Sequence, residues 1–121
     1  MKDKTDLRPD LNLPETAGTT PEERFQNEVL RPILKLQNEL YLALFEDYAL
    51  RHHKDFPSST PAQKRNFVTG SLQKDGVLKN TFIGITIGML TSQELEEYLQ
   101  LSRSYNRRIT TMIAERIVSQ I

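Results

Sequence analysis

Five polar residues fall inside the otherwise apolar faces of two predicted long helices, and at these positions the chain could do chemistry. They are Gln37, Asp47 and Arg51 on the first helix and Asn106 and Arg116 on the last. A buried polar side chain needs a hydrogen-bonding partner, and Asp47 and Arg51 have the i, i+4 spacing of a helical ion pair. One interpretation is that the five converge on a ligand pocket between helices. The interpretation we favour is a satisfied structural network or a wet subunit contact.

Metal chemistry is not expected from this sequence. The two histidines, His52 and His53, are adjacent and therefore lie on different faces of a helix. Neither follows a glutamate by three residues, the spacing of carboxylate-bridged di-iron bundles, because Ala49 and Leu50 occupy those positions. The glutamates that share one face of the first helix are about 16 Å apart by helical rise, too far for joint acid–base work. We predict no metal site, no cofactor and no catalytic residue.

A basic cluster near the end of the chain offers one further possibility. Arg103 and Arg107 are one helical turn apart, a spacing at which two guanidinium groups can clamp a phosphate or a carboxylate. Arg107, however, falls on the polar face of its helix, and the 16 basic and 16 acidic residues of the chain cancel. Zero net charge provides no general field for nucleic acid or for an anionic membrane, so neither is expected as a partner.

The first long helix is predicted to begin after Thr20 and to continue to about His53. The start, Thr20-Pro21-Glu22-Glu23, combines an N-cap hydroxyl, a proline at the first helical position and a glutamate placed for a capping box. Residues 25–30 are echoed by residues 36–41, so equivalent positions eleven residues apart fall on nearly the same face. Pro32 interrupts this pattern without changing its phase and predicts a kink.

The apolar residues of this helix form two lines rather than one stripe. The first line contains Phe25, Val29, Ile33, Leu36, Leu40 and Leu44. The second contains Leu30, Leu34, Tyr41 and Phe45. An apolar arc of that width exceeds what a surface helix needs. The helix is therefore expected to be covered on two sides, either at the centre of a bundle or as part of a subunit contact.

Further helix starts follow along the chain. Thr60 and Thr91 each precede a helical pattern, with a glutamine or a glutamate three residues later in the capping-box position. Gly76 is suited to a left-handed cap that ends the second helix. Residues 77–90 are rich in β-branched side chains and could form a strand, but no other segment offers a strand partner, so a helix is favoured. The last helix is predicted to run from about residue 92 close to Ile121.

These elements predict an all-α bundle of about four helices, with a long, proline-kinked first helix and a long last helix. The 121 residues suit one domain, which we assign to residues 20–121, and residues 1–19 are expected to form a mobile arm. The chain has no cysteine, no apolar leader and no apolar run of membrane-spanning length. A cytoplasmic location without membrane contact is the expectation.

Three stretches of the sequence carry a resemblance to a known family. The run EERFQNEVLRPILKLQN at residues 22–38, with Ser71-Leu72-Gln73-Lys74-Asp75 and Asn106-Arg107-Arg108, resembles a small, uncharacterised family of all-helical bacterial proteins. Some members carry a glyoxalase label. Glyoxalase I domains resemble repeated βαβββ modules with histidine, glutamine and glutamate metal ligands on strands, whereas this chain lacks those strands. The resemblance therefore implies a helical fold and no catalytic residues.

Two classes of function remain open from the sequence. The leading prediction is a non-enzymatic, self-associating helical protein, an interaction or structural module in which a second copy forms a homodimer, with an unknown protein partner also possible. The alternative is a small-molecule binding protein or weak enzyme that uses the five polar residues named above. A cavity above roughly 300 Å³ lined by those residues would favour the alternative, and a filled core would favour the module.

Overall fold

The computed structural model describes residues 4–9 and 20–121. Every regular element in these two ranges is helical, which confirms the all-α prediction. The short elements are 3-10 turns at Lys4–Leu7 and Phe56–Ser58 and a π turn at Gln26–Leu30. The α-helices are α1 (Pro21–Phe25), α2 (Arg31–Leu36), α3 (Asn38–His52), α4 (Pro61–Lys74), α5 (Gly76–Ile87), α6 (Ser92–Gln100) and α7 (Ser102–Val118).

The predicted first helix is present but is distorted at two places. The π turn ends just before Pro32, and the Arg31 N–H closes it by donating to the Gln26 carbonyl, five residues back. A proline ring has no N–H and crowds the carbonyl four residues before it, so a wider turn at this point relieves both problems. A second irregularity lies at Gln37, with φ −95° and ψ 11°, between α2 and α3. Pro32 therefore distorts the first helix at the π turn that precedes it.

The two apolar lines of the first helix differ in how far they are buried. Leu30, Leu34, Tyr41 and Phe45 of the second line are all at most 2% exposed. The first line is buried at Phe25 and Ile33, but its last three leucines are 37–49% exposed. A helical wheel at 100° per residue holds only for an unbroken α-helix. The π turn and the irregularity at Gln37 change the angular positions of the residues that follow them around the helix axis. The last three leucines of the first line therefore face outward.

α7 is the helix around which the others pack. Three pairs of side chains, each 82 residues apart, join α7 and the residues just after it to the first helical run: Glu22 with Ser104, Gln26 with Arg108, and Asn38 with Gln120. A constant positive offset means that both runs advance in the same direction, so α7 lies parallel to α1–α3. On its other sides α7 contacts α4, α5 and α6. Its buried face consists of Tyr105, Ile109, Met112, Ile113 and Ile117.

The ambiguous segment after α4 is a helix, α5, as favoured from the sequence. Asp75 joins the two helices in an extended conformation, with φ −91° and ψ 102°. Its Oδ1 accepts from the N–H groups of Val77 and Leu78, each at 3.1 Å, and so caps the start of α5. Gly76 is the first residue of α5 rather than a left-handed cap of α4. The left-handed cap was a wrong prediction because the Asp75 side chain supplies an N-cap immediately after α4.

The predicted long last helix is divided into α6 and α7 at Leu101. This residue has φ −137° and ψ 42°, although neither glycine nor proline marks the position. The break brings the rings of Tyr98 and Tyr105 to 6.2 Å between centroids, whereas residues seven apart in a straight helix are about 10.5 Å apart along its axis. Leu99, two residues before the break, is 61% exposed.

Residues 4–9 lie against the bundle where α5 leads into α6. Arg8 forms a two-pronged ion pair with Glu94: Nη1 donates to Oε2 at 2.8 Å, and Nη2 donates to Oε1 at 2.7 Å. Nη2 also donates to the Met89 carbonyl, and Lys4 Nζ donates to the Leu90 carbonyl. This part of the predicted mobile arm therefore has a defined position on the fold. The rest of the prediction, for residues 1–3 and 10–19, lies outside the described residues.

The Arg8–Glu94 pair predicts a loss of stability in acid. Burial of Glu94 raises its pKa, but the hydrogen bonds from Arg8 and Thr91 and the charge of Arg8 outweigh burial, so the pKa lies below the ordinary 4.5. A carboxyl with a lowered pKa in the folded chain contributes stability above its unfolded pKa and loses it as the pH falls through the folded pKa. We expect the free energy of unfolding, measured in urea at several pH values, to fall as the pH drops below about 4.5.

Glu94→Gln is the matched control for this effect. The amide oxygen can still accept from the Thr91 N–H, so the variant keeps the capping box and loses the charge together with the oxygen that accepts from Arg8 Nη1. Its stability should depend less on pH in the acid range than that of the unsubstituted chain. An equal acid loss in both proteins would show that the Arg8–Glu94 pair does not contribute.

Candidate functional site

Asp47 and Arg51 form the ion pair expected from their spacing, but on the outer surface of α3. Arg51 Nε donates to Asp47 Oδ2 at 3.0 Å. The Arg51 and Asp47 side chains are 65% and 67% exposed. An exposed pair at i, i+4 contributes only about 0.3–0.5 kcal/mol. The pair is therefore a surface feature and does not line a buried pocket.

Arg116 belongs to a polar network that joins the end of α7 to the start of α3. Its Nη1 donates to Asn38 Oδ1 at 3.4 Å, and the Gln120 side chain exchanges two hydrogen bonds of 2.8 Å with the Asn38 amide. Gln37 lies beside this network, at the irregular residue between α2 and α3. Each amide of the reciprocal pair satisfies the other, which is the arrangement of a structural network.

Asn106 lies elsewhere, in the first turns of α7 and close to α6. Its Oδ1 accepts a hydrogen bond from the hydroxyl of Tyr98 across the break at Leu101. Burial raises the pKa of Tyr98, and the hydrogen bond to Asn106 opposes that rise in part. Among the five residues predicted as a site, the structure joins only Asp47 to Arg51 by a hydrogen bond. It does not bring the five together in one cavity.

A row of exposed leucines is the first of two surfaces that stand out. Leu36, Leu40 and Leu44 are 37%, 49% and 39% exposed and succeed one another at four-residue intervals along α2 and α3. Leu40 and Leu44 are neighbours on one side of α3, and Leu36 precedes them across the irregular residue Gln37. The Asp47–Arg51 pair continues the same side beyond Leu44. We call these three residues the leucine row.

The second surface is a groove of about 640 Å³ between α4, α5 and α7. Buried Leu72 and Ile83 form its apolar floor. The walls consist of polar and basic side chains: Gln73, Lys79, Asn80, Ser102, Arg103, Asn106, Arg107, Thr110 and Thr111. Among the described residues, no carboxylate belongs to this lining, so the groove carries only positive formal charge. We call it the basic groove.

A second concave region, where α3, α4 and α5 meet, is a shallow depression of about 790 Å³. There Tyr48 donates its hydroxyl to Asp75 Oδ2 at 2.9 Å. The Leu78 N–H, followed by the Tyr48 hydroxyl, holds the pKa of Asp75 below its ordinary value. Oδ1 accepts from the two N–H groups at the start of α5 and Oδ2 accepts from Tyr48, so Asp75 serves as a helix cap.

Sequence reasoning noted part of the basic groove and missed the rest. Arg103 and Arg107 were identified as a possible anion clamp, but nothing in the sequence placed Lys79 beside them. Lys79 is on α5 and reaches the groove because α5 and α7 pack against each other. A pattern search within one helix cannot detect a site assembled from three helices.

Metal-binding clusters and membrane-spanning helices are both absent from residues 4–9 and 20–121. No group of three or more histidine or acidic side chains in these ranges is arranged to hold a metal ion. None of the helices in the same ranges is long and apolar enough to cross a membrane. Comparison of the chain with protein-family models, with curated proteins and with solved structures gives no match.

Proposed function

We propose that this protein is a self-associating helical module, and that the leucine row is the centre of its subunit contact. The observation that carries the proposal is the contrast between the two apolar lines of one helical run. The second line is almost completely buried, whereas the leucine row of the first line remains 37–49% exposed although its side chains are as apolar as those of the core. Covering these leucines would remove apolar surface from water.

A second copy of the chain is the occupant that we propose for the leucine row. In a two-fold arrangement of antiparallel helices centred on Leu40, Leu36 of each copy would meet Leu44 of the other. Asp47 and Arg51 follow the row along α3 and would lie at the rim. An apolar centre with a polar rim is the usual anatomy of a protein interface.

The test is the mass of the protein in solution, measured by light scattering across a dilution series. We expect a mass near 28 kDa, which is two chains of 14.0 kDa, at high concentration. Leu40→Glu should shift the mass to that of one chain, because two carboxylates would face each other across the two-fold axis without a partner. Circular dichroism should show unchanged helicity, since Leu40 is 49% exposed.

Leu50→Glu is the matched control. Leu50 is also on α3 and is 55% exposed, but it lies on a different side of the helix from the leucine row. This variant should remain a dimer. A single-chain mass for the unsubstituted protein at every concentration, or equal dissociation of both variants, would refute the proposal.

We also propose a cytoplasmic location. The absence of cysteine supports it, because disulfides persist mainly outside the cytosol and this chain does not depend on them. Membership of the small family of helical bacterial proteins named above remains a proposal that rests on the quoted runs of sequence.

A further inference from the structure

Three cations of the basic groove are free to bind a ligand. Lys79 comes from α5, and Arg103 and Arg107 come from successive turns of α7. The ion pairs of the described chain engage other arginines, namely Arg8, Arg51 and Arg108. The basic groove therefore brings three positive charges to one opening, with no neutralising carboxylate among the described residues of its lining.

Comparison with Arg108 shows that the arginines of α7 differ in their contacts from one side of the helix to the other. Arg108 is adjacent to Arg107 in the chain but points toward α1, where its Nη2 lies 3.5 Å from Glu22 Oε2 and its Nη1 donates to Gln26. The structure thus uses Arg108 to join two helices. It leaves Arg103 and Arg107 on the side of α7 that faces the groove.

Asn106 adds an oriented hydrogen-bond donor to the same groove. Its Oδ1 accepts from the Tyr98 hydroxyl, so its Nδ2 group remains to donate. The Thr110 hydroxyl, by contrast, donates to the Asn106 carbonyl and can only accept from a ligand. At neutral pH most oxygens of a phosphate are unprotonated and act as hydrogen-bond acceptors. Amide donors beside guanidinium groups are therefore suited to bind them.

The basic groove continues along α4 and α7 into a second cavity of about 610 Å³. The two cavities share four lining residues, Leu72, Gln73, Thr110 and Thr111. Beyond them the second cavity is lined by the apolar side chains of Ala114 and Val118, and at its edges by Arg65, Thr69, Glu115 and Ser119. From Arg103 to Val118, α7 rises about 22 Å, so the combined groove is long enough for a ligand with a chain.

We propose that this groove binds a small organic phosphate with an apolar chain. The phosphate lies among Lys79, Arg103 and Arg107, where its charge is matched, and the chain lies over Leu72 toward Ala114 and Val118. Both cavities fall within the roughly 300–1,000 Å³ of small-molecule sites and exceed what inorganic phosphate would fill. This inference is independent of the proposed self-association, because the leucine row lines neither cavity.

The test is calorimetric titration of the full chain with octyl phosphate, inorganic phosphate and octanol. Octyl phosphate should bind in a saturable manner, at least about tenfold more tightly than either of the other two, because only it uses both halves of the groove. The double variant Arg103→Gln, Arg107→Gln should weaken octyl phosphate binding at least about tenfold, since two charge-assisted contacts are lost. Both residues are exposed, so the variant should fold.

Arg24→Gln with Lys54→Gln is the matched control. Both residues are exposed, lie outside the groove and remove the same two charges, so the affinity for octyl phosphate should be unchanged. Ala114→Phe provides a second test, because a larger side chain in the apolar half should weaken octyl phosphate and leave inorganic phosphate unaffected.

Several outcomes would overturn the proposal. Equal weakening by the control pair would mean that only net charge matters. Equal affinity for inorganic and octyl phosphate would mean that the apolar half of the site contributes nothing to binding. Tighter binding to vesicles of anionic lipid, or to a single-stranded RNA, would identify a membrane surface or a nucleic acid as the partner instead. Absence of any octyl phosphate binding at millimolar concentration would reject the site.

Discussion

Phe45→Ala is expected to lower the free energy of unfolding by about 3–5 kcal/mol, the usual cost of deleting a fully buried phenylalanine ring. Phe45 is 0% exposed. Its ring centroid lies 5.9 Å from those of Tyr48, Phe56 and Phe67. The ring thus connects α3 to the 3-10 turn at Phe56–Ser58 and to α4. Its removal leaves a cavity that three separate elements would have to fill, and aromatic rings adjust poorly to such a space.

Urea unfolding followed by circular dichroism measures this effect. Leu50→Ala is the control, since Leu50 is on the same helix but is 55% exposed, and its stability should stay within about 0.5 kcal/mol of the unsubstituted chain. If Phe45→Ala were as stable as Leu50→Ala, the aromatic cluster between α3 and α4 would not be packed as described.

Thr86→Val is expected to cost about 1–3 kcal/mol, because it leaves a buried hydroxyl without a partner. Thr86 is 0% exposed and Tyr41 is 1% exposed. The Thr86 hydroxyl donates to the Phe82 carbonyl at 2.9 Å, so its oxygen is the acceptor for the Tyr41 hydroxyl at 2.8 Å. Burial raises the pKa of Tyr41, which keeps the phenol protonated as a donor. Valine matches the shape of threonine but cannot accept.

Tyr41→Phe and the double variant complete the measurement. Tyr41→Phe should cost less than Thr86→Val, about 0.5–1.5 kcal/mol, because Thr86 still donates to Phe82 when the phenol is absent. In the double variant both polar groups are gone, so the loss should be smaller than the sum of the single losses. Strict additivity in urea unfolding would mean that the Tyr41–Thr86 bond contributes nothing.

The leucine row and the basic groove can be tested separately because they lie on different helices. Leu40→Glu should change the mass of the protein and leave octyl phosphate binding unaffected. Arg103→Gln with Arg107→Gln should do the reverse. The failure of one proposal would therefore leave the other standing.

The sequence predicted three helix starts correctly, at Thr20, Thr60 and Thr91, because each depends on a few neighbouring residues. Thr20 accepts from the Glu23 N–H as expected, and Thr60 and Thr91 form full capping boxes. A capping hydrogen bond joins groups three residues apart, so its geometry is determined locally. The helix α5, which covers most of residues 77–90, was favoured from the sequence because a strand there would have lacked a partner.

The candidate surfaces could be predicted only in part. The two apolar lines were read from the sequence, but which of them would be exposed depended on the π turn before Pro32 and on the irregular residue Gln37. Arg103 and Arg107 were noticed as a pair, but the third cation, Lys79, joins them only through helix packing. The five polar residues proposed as one site are distributed over a surface pair, a structural network and the basic groove.

The sequence by itself determined the helical class, the three helix starts capped by threonines and the set of apolar side chains available to a core, since these follow from hydrogen bonds and periodicities within a few turns. Tertiary structure alone decided the break at Leu101, the position of Arg8 against Glu94 and the meeting of α4, α5 and α7 around the basic groove. Contacts between residues some 80 positions apart depend on how whole helices pack, and local spacing carries no information about that packing.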